Sequence, residues 1–151
     1  MSRASQNEQL FDEMSAFNRK LRAFFDAAVR EEGLTLARAR TLFAIARRGP
    51  LTQRELAEEL EIETPTLVRV LDGMAKQDLI VRTEDATDRR AKRIDMTPAG
   101  RKAFDAAHTL ARDLRGQIAD EISAEDIETA LSVVRRLTRN MQQLDIAKVR
   151  S

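Results

Sequence analysis

The chain has 151 residues, 42% of them apolar, which is enough for one domain with a sizeable core and too apolar for a disordered tail. It contains no cysteine, which excludes disulfides, thiolate metal sites, cysteine nucleophiles and thiol-based sensing. A net charge of +1 gives no general basic field, no apolar run reaches membrane-spanning length, and the N-terminal MSRASQNEQLFDEM lacks the apolar core of a signal peptide; a cytoplasmic protein with no membrane partner is expected.

In chain order, Leu10, Met14, Phe17, Leu21, Phe24 and Ala28 recur at alternating four- and three-residue steps, a heptad seam along an N-terminal helix. Thr52 and Glu55 have capping-box spacing, so a helix is expected to start at Thr52 with Leu56, Ala57 and Leu60 on one face. Ile62 falls in a turn of about three residues. Beyond it Thr64 is expected as N-cap and Pro65 as the first residue of a second helix reaching Lys76. That helix buries Leu67, Val70, Leu71 and Met74 and turns Thr64, Thr66, Arg69 and Gly73 to solvent.

Ile80, Val81 and Arg82 then read as a strand, EDATDRRAKR as a charged loop, and Arg93 to Met96 as the returning strand. Thr97 with Pro98 starts another helix, carrying Phe104, Ala107, Leu110, Ala111, Leu114, Ile118 and Ile122; Ser123, three residues before Asp126, starts the last. A second heptad seam runs through Ile127, Ala130, Val134, Leu137, Met141 and Leu144. Two helices, a tight turn and a hairpin with a basic tip make a winged helix-turn-helix. The fold class is mainly α with a small β wing, flanked by long N- and C-terminal helices. Helices this long overreach a lobe of about fifty residues, so their surplus apolar surface calls for a second copy of the chain or for a monomeric bundle.

The text IETPTLVRVLDGMAKQDLI and the following ATDRRAKRIDMTPAG resemble the recognition helix and the DxR wing of the MarR family of bacterial regulators, and within it the SlyA-like branch. The likeness extends over nearly the whole chain, with specific motifs between about Leu51 and Gly100. It implies one chain, 1–151, containing a DNA-binding lobe over 36–100 and a helical dimerisation region over 6–32 and 98–148. Asp78 departs from the pattern by standing where the family usually has glycine after the recognition helix.

For DNA, the residues singled out are Thr64, Pro65, Thr66, Arg69, Asp88, Arg89, Arg90 and Lys92. Threonine hydroxyls bond bases or phosphates, and an arginine fork matches the O6 and N7 edge of guanine. The resemblance implies that Asp88 shapes the wing while Arg90 enters a minor groove. The blander alternatives are a solvated arginine at 69, a salt bridge from Arg89 or Arg90 to Asp88, and Thr64 acting only as a cap. Arg93 and Lys92 read as backbone or internal contacts. Residues 51–100 hold eight Lys or Arg against eleven Asp or Glu, 8 − 11 = −3, so positive charge must act locally. The acids gather at Glu55, Glu58, Glu59, Glu61 and Glu63.

The expected function is a homodimeric repressor on an inverted-repeat, pseudo-palindromic operator, released by a small-molecule effector. The family's habit implies an aromatic carboxylate or phenolic ligand, with Arg19, Arg22, Ala37, Phe43 and Arg69 at matching positions. Each has an ordinary alternative as a surface arginine or a core side chain. A second reading is a winged-helix module that docks another protein through its acidic face. No enzyme is expected: the sole histidine, His108, reads as a partly buried helix residue with no cysteine, tyrosine or second histidine to partner it, and no catalytic residue, metal site or cofactor is assigned.

Overall fold

The computed structural model describes residues 1–145 and Val149 and is mainly α-helical with one small antiparallel sheet. In chain order it runs α1 (Arg3–Glu31), α2 (Leu36–Arg48), β1 (Leu51–Thr52), α3 (Gln53–Leu60), α4 (Thr64–Lys76), β2 (Ile80–Glu84), β3 (Lys92–Met96), α5 (Pro98–Ile118) and α6 (Ala124–Gln143). Two compact units divide the chain, Met1–Asp113 and Leu114–Ser151. Of the helical region expected over 98–148, residues 146–148 lie outside the described residues.

Side-chain caps fix most helix starts. The Thr52 hydroxyl accepts from the Glu55 amide at 3.2 Å while the Glu55 carboxylate accepts from the Thr52 amide at 3.3 Å, the reciprocal box the spacing predicts. Ser123 accepts from the Asp126 amide at 3.1 Å, and Thr97 from the Gly100 amide at 2.9 Å. α4 corrects the expectation. Its N-cap is Glu63 and not Thr64, no side chain caps it, and Pro65 stands second in the helix. Neither of a helix's first two amides has an intrahelical acceptor, so proline fits one place later than predicted, and Thr64 becomes a helical residue with a free hydroxyl.

The core of the first unit joins α2, α3 and α4 through Leu42, Ile45, Leu56, Leu67, Leu71 and Met74, with Ile94 from the sheet, Val29 from α1 and Ala107 from α5. Burial of each large aliphatic side chain is worth about 1.5–3 kcal/mol, so this cluster is what holds α4 in place. The hairpin pairs Ile80 with Met96 through to Glu84 with Lys92. A third strand was not foreseen: β1 pairs Leu51 with Ile94 and Thr52 with Arg93, giving the order β1-β3-β2. Gly49 allows it, because its φ of +83° turns the chain out of α2 in a backbone region that glycine enters freely.

The connections show three further departures from simple periodicity. α5 stops at Ile118, so Ile122 lies in the following turn, where Glu121 has a φ of +68°. Leu144 is the C-cap of α6 and lies outside the helix. Asp78 itself adopts the left-handed conformation, φ +57°, so the turn after α4 is kept without glycine. On α1 the seam residues Phe17 and Phe24 are 56% and 57% exposed, and α6 has no buried residue at all. No helix among the described residues is long and apolar enough to cross a membrane.

Candidate nucleic-acid interface

α4 buries Leu67, Leu71 and Met74 on one side, and at about 100° per residue the opposite side is Pro65, Arg69, Asp72 and Lys76, all exposed. Thr64 and Thr66 are exposed in the first turn, whose leading amides have no side-chain cap. A helix end of this kind offers amides and hydroxyls to a phosphate. Gly73 does not face open solvent as predicted. The Arg38 guanidinium from α2 lies across it and donates to the Gln77 side-chain carbonyl at 2.6 Å. On the opposite flank of α4, Arg82 of β2 donates to Asp72 at 3.0 Å.

The wing loop is held by backbone hydrogen bonds, its acids and Arg93, not by Arg89 or Arg90. Asp85 donates its amide to the Ala91 carbonyl at 3.1 Å, closing the loop. The Asp88 carboxylate accepts from the Arg90 amide at 2.9 Å, and the Asp88 carbonyl from the Ala91 amide at 3.1 Å. Asp88 is in hydrogen bonds to backbone, and no ion pair joins it to the side chain of Arg89 or Arg90. Asp85 accepts from the Thr87 amide and hydroxyl, both at 3.0 Å, and pairs with Arg93 at 3.2 Å. The Thr87 amide first, then its hydroxyl, and after these Arg93, hold the Asp85 carboxyl below the usual carboxylate range against the opposing effect of burial. Arg93 also donates to the Pro50 carbonyl at 3.0 Å, tying the sheet's outer strand to the loop. Asp85 and Arg93 are the wing's internal frame, and Asp85 was not singled out from the sequence.

Sorting the lobe's arginines by partner separates two populations. Arg38 and Arg40 bond Gln77 and the Leu60 carbonyl; Arg47 and Arg48 both bond Glu59; Arg54 pairs with Glu58, Arg82 with Asp72, and Arg93 with Asp85. Among the described residues, the side chains of Arg69, Arg89 and Arg90 make no such bond, nor does that of Lys92. These are the cations on α4 and the wing that the sequence singled out.

Three of the five acids in the cluster are engaged within the protein, while the side chains of Glu61 and Glu63 are exposed and make no such bond among the described residues. Hydrogen bonds from Arg47 and then Arg48 hold the Glu59 carboxyl below its usual range; Glu55 closes the capping box, and Glu58 pairs with Arg54. The negative count of residues 51–100 therefore overstates the field at this surface, because Arg47 and Arg48 lie outside that window.

The residues considered for an effector are spread over three helices. Arg19 and Arg22 are exposed on α1, Ala37 and Phe43 half-buried on α2, and Arg69 exposed on α4. No hydrogen bond, ion pair or ring contact among the described residues joins any of them to another. Phe43 is instead the centre of an aromatic cluster, with Phe25 at 6.2 Å, Phe104 at 5.2 Å and His108 at 6.0 Å between ring centroids. His108 is exposed, not partly buried as predicted, and stacks at 5.4 Å on Phe104, its neighbour one turn earlier on α5.

A helix pair seated on a core, with a sheet beside it whose loop carries unpaired cations, defines a winged helix-turn-helix DNA-binding transcription regulator. The MarR family model matches residues 32–91. The crystal structure of the transcriptional regulator PA3341 is 32% identical over 89% of this chain and 99% of that one, with a TM-score of 0.79. Wild-type MarR from E. coli in its apo form shares the fold at 20% identity and TM-score 0.75, over 85% of this chain and 96% of that one. MarR from Staphylococcus aureus, solved in complex with salicylate and kanamycin, does so at 18% identity and TM-score 0.81, over 93% and 95%. The chain belongs to the MarR family of transcription regulators.

Proposed function

We propose that the chain is a homodimeric repressor that lays two α4 helices in successive major grooves of an inverted-repeat operator, about ten base pairs apart, with the wings on the flanking backbone and minor groove. The observation that carries this reading is the partition of arginines: those not engaged within the lobe are Arg69 on α4 and Arg89 and Arg90 on the wing. Thr64, Pro65 and Thr66 present the start of α4 to phosphates, Arg69 reads base edges, Asp88 shapes the loop, and Arg89, Arg90 and Lys92 meet phosphate or groove. Exposed apolar seams on α1 and α6 support pairing through the region 6–32 and 98–148, leaving 36–100 as the DNA lobe. The overall resemblance of residues 51–100 suggests the SlyA-like branch, and the family's habit a cytoplasmic location.

Release by an aromatic carboxylate or phenolic effector completes the proposal, with Arg19, Arg22 and Arg69 as anion partners and Ala37 and Phe43 as apolar wall. The salicylate complex of the S. aureus relative supports that ligand class. Such a ligand acts only by preferring one spacing of the two α4 helices, and a near-complete switch requires a preference of roughly 5 kcal/mol. A gel-shift competition between the gene's own upstream region and unrelated duplex tests the reading. Specific retention of the upstream region is expected, and equal retention of both would overturn it.

A further inference from the structure

Arg69 reads a groove only if α4 is held at one roll about its axis, and the structure shows how each flank of that helix is held. One flank is fastened to the wing through Arg82 and Asp72. The other is fastened by a residue outside the motif. Arg38, in the first turn of α2, passes its guanidinium over Gly73 and donates to Gln77 at 2.6 Å, just past the last turn of α4. The approach depends on the missing side chain: a Cβ at position 73 would stand 2.5 Å from the Arg38 Nη2 and 3.4 Å from its Cζ. The same first turn of α2 is fastened to α1, because Asp26 accepts the Leu36 amide at 3.2 Å with one carboxylate oxygen while the other pairs with Arg30 at 3.2 Å. One short stretch of α2 therefore touches both the seam-bearing helix and the reading helix.

We propose that Arg38 is a positioning residue for DNA recognition: braced on Gly73 and Gln77, it fixes the roll of α4 relative to α1, and through it the spacing of the two reading helices in the dimer. This rests on the DNA-binding reading above and names a determinant of its affinity and spacing preference. Arg38 stands on the flank of α4, not on the outward stripe of Pro65, Arg69 and Lys76, so it acts through Arg69 and not on the duplex.

The test uses full-length Arg38→Ala, Gly73→Ala and the double variant. Gly73→Ala is the sharper probe, since alanine favours the helix and yet displaces the guanidinium. Without DNA, the Gln77 and Leu79 amides, which donate to Gly73 and Met74 carbonyls at 3.2 and 2.9 Å, report on the brace. Their hydrogen exchange is expected to quicken roughly three- to tenfold in Arg38→Ala, the worth of one hydrogen bond to a charged group partly exposed to water, and by less in Gly73→Ala, where helix propensity offsets part of the loss. With upstream-region duplex and derivatives lengthened by one base pair between half-sites, each single variant is expected to lose roughly three- to tenfold in affinity for the native spacing. Each should also discriminate less between spacings, keep the wild-type salt slope, and melt no more than a few degrees away from wild type. The double variant should be no worse than the weaker single, because both changes break one contact.

Unchanged amide exchange in Arg38→Ala overturns the brace whatever the DNA result. A salt slope lower by about one unit in Arg38→Ala overturns the positioning role in favour of a phosphate contact. Losses that multiply in the double variant also overturn it. Failure of the wild type to prefer its upstream duplex would count against the repressor reading alone, since amide exchange judges the brace independently.

Discussion

Replacing Gly100 by alanine sets two opposing effects against each other at the junction between the reading helix and α5. Gly100 is buried in the first turn of α5, and a Cβ there would stand 2.9 Å from the Leu79 carbonyl carbon and closer still to its oxygen. A carbon and a carbonyl oxygen settle at about 3.3–3.6 Å, so backbone must retreat by more than an ångström to relieve the contact with the Leu79 oxygen. There is little slack to give. The Thr97 hydroxyl donates to the Asp78 carbonyl and the Thr97 amide to the Leu79 carbonyl at 3.2 Å, pinning the same turn. Alanine gains up to about 1 kcal/mol over glycine within a helix, while an overpacked site costs about 1–3 kcal/mol, more when backbone must move.

Net destabilisation of about 2 kcal/mol or more is expected, lowering the melting temperature by at least roughly 4–8 °C for a chain of this size. Gly116 is the internal control. It lies in the same helix, and nothing stands within 4 Å of its added Cβ. Gly116→Ala should therefore raise the melting temperature by a few degrees, about what helix propensity alone supplies. Thermal melts of both variants, followed by circular dichroism, measure the difference directly. A Gly100→Ala protein as stable as wild type, or shifted in the same direction as Gly116→Ala, would refute the close packing of α5 against Leu79.

Three further outcomes follow from the interface. Arg90→Ala should weaken operator binding and lower the salt slope by about one unit if it neutralises one phosphate or its groove potential; identical titrations at several salt concentrations would remove the wing from the interface. Arg69→Ala should cost more on operator than on random duplex, about 1–3 kcal/mol of discrimination for a bidentate base contact, and equal losses on both would make it a phosphate contact. Asp85 is held below its ordinary value of about 3.9, so its contribution to the loop is complete above that pH and is lost as pH falls through the lower folded value. The Thr87 amide resonance should accordingly stay constant from neutrality to about pH 4 and move below it; movement already between about pH 7 and 5 would contradict the assignment.

What was legible in the sequence was local. Thr52 with Glu55 and Ser123 with Asp126 lie three residues apart and bond as their spacing predicts, and Thr97 caps α5 by accepting from the Gly100 amide. Arg69, Arg89 and Arg90 were legible as candidates because the motif around them is continuous. The α4 cap slipped by one residue because proline is tolerated at either of the first two helical positions. Ile122 extended a stripe whose period carries no information on where the chain turns. β1 escaped notice because two residues cannot show alternation, and its pairing with β3 joins positions more than forty residues apart. The arginine partners were hidden for the same reason: Arg38 with Gln77, Arg93 with the Pro50 carbonyl and Arg48 with Glu59 are tertiary contacts. Without them the acid excess of the motif looks like an obstacle to binding nucleic acid.

The most direct test of paired reading heads is hydroxyl-radical footprinting of the gene's upstream region together with the mass of the complex. Two chains of 17.1 kDa per duplex are expected, with protection centred on two major grooves about ten base pairs apart within an inverted repeat. One chain per duplex, or a single protected patch without internal symmetry, would contradict the account.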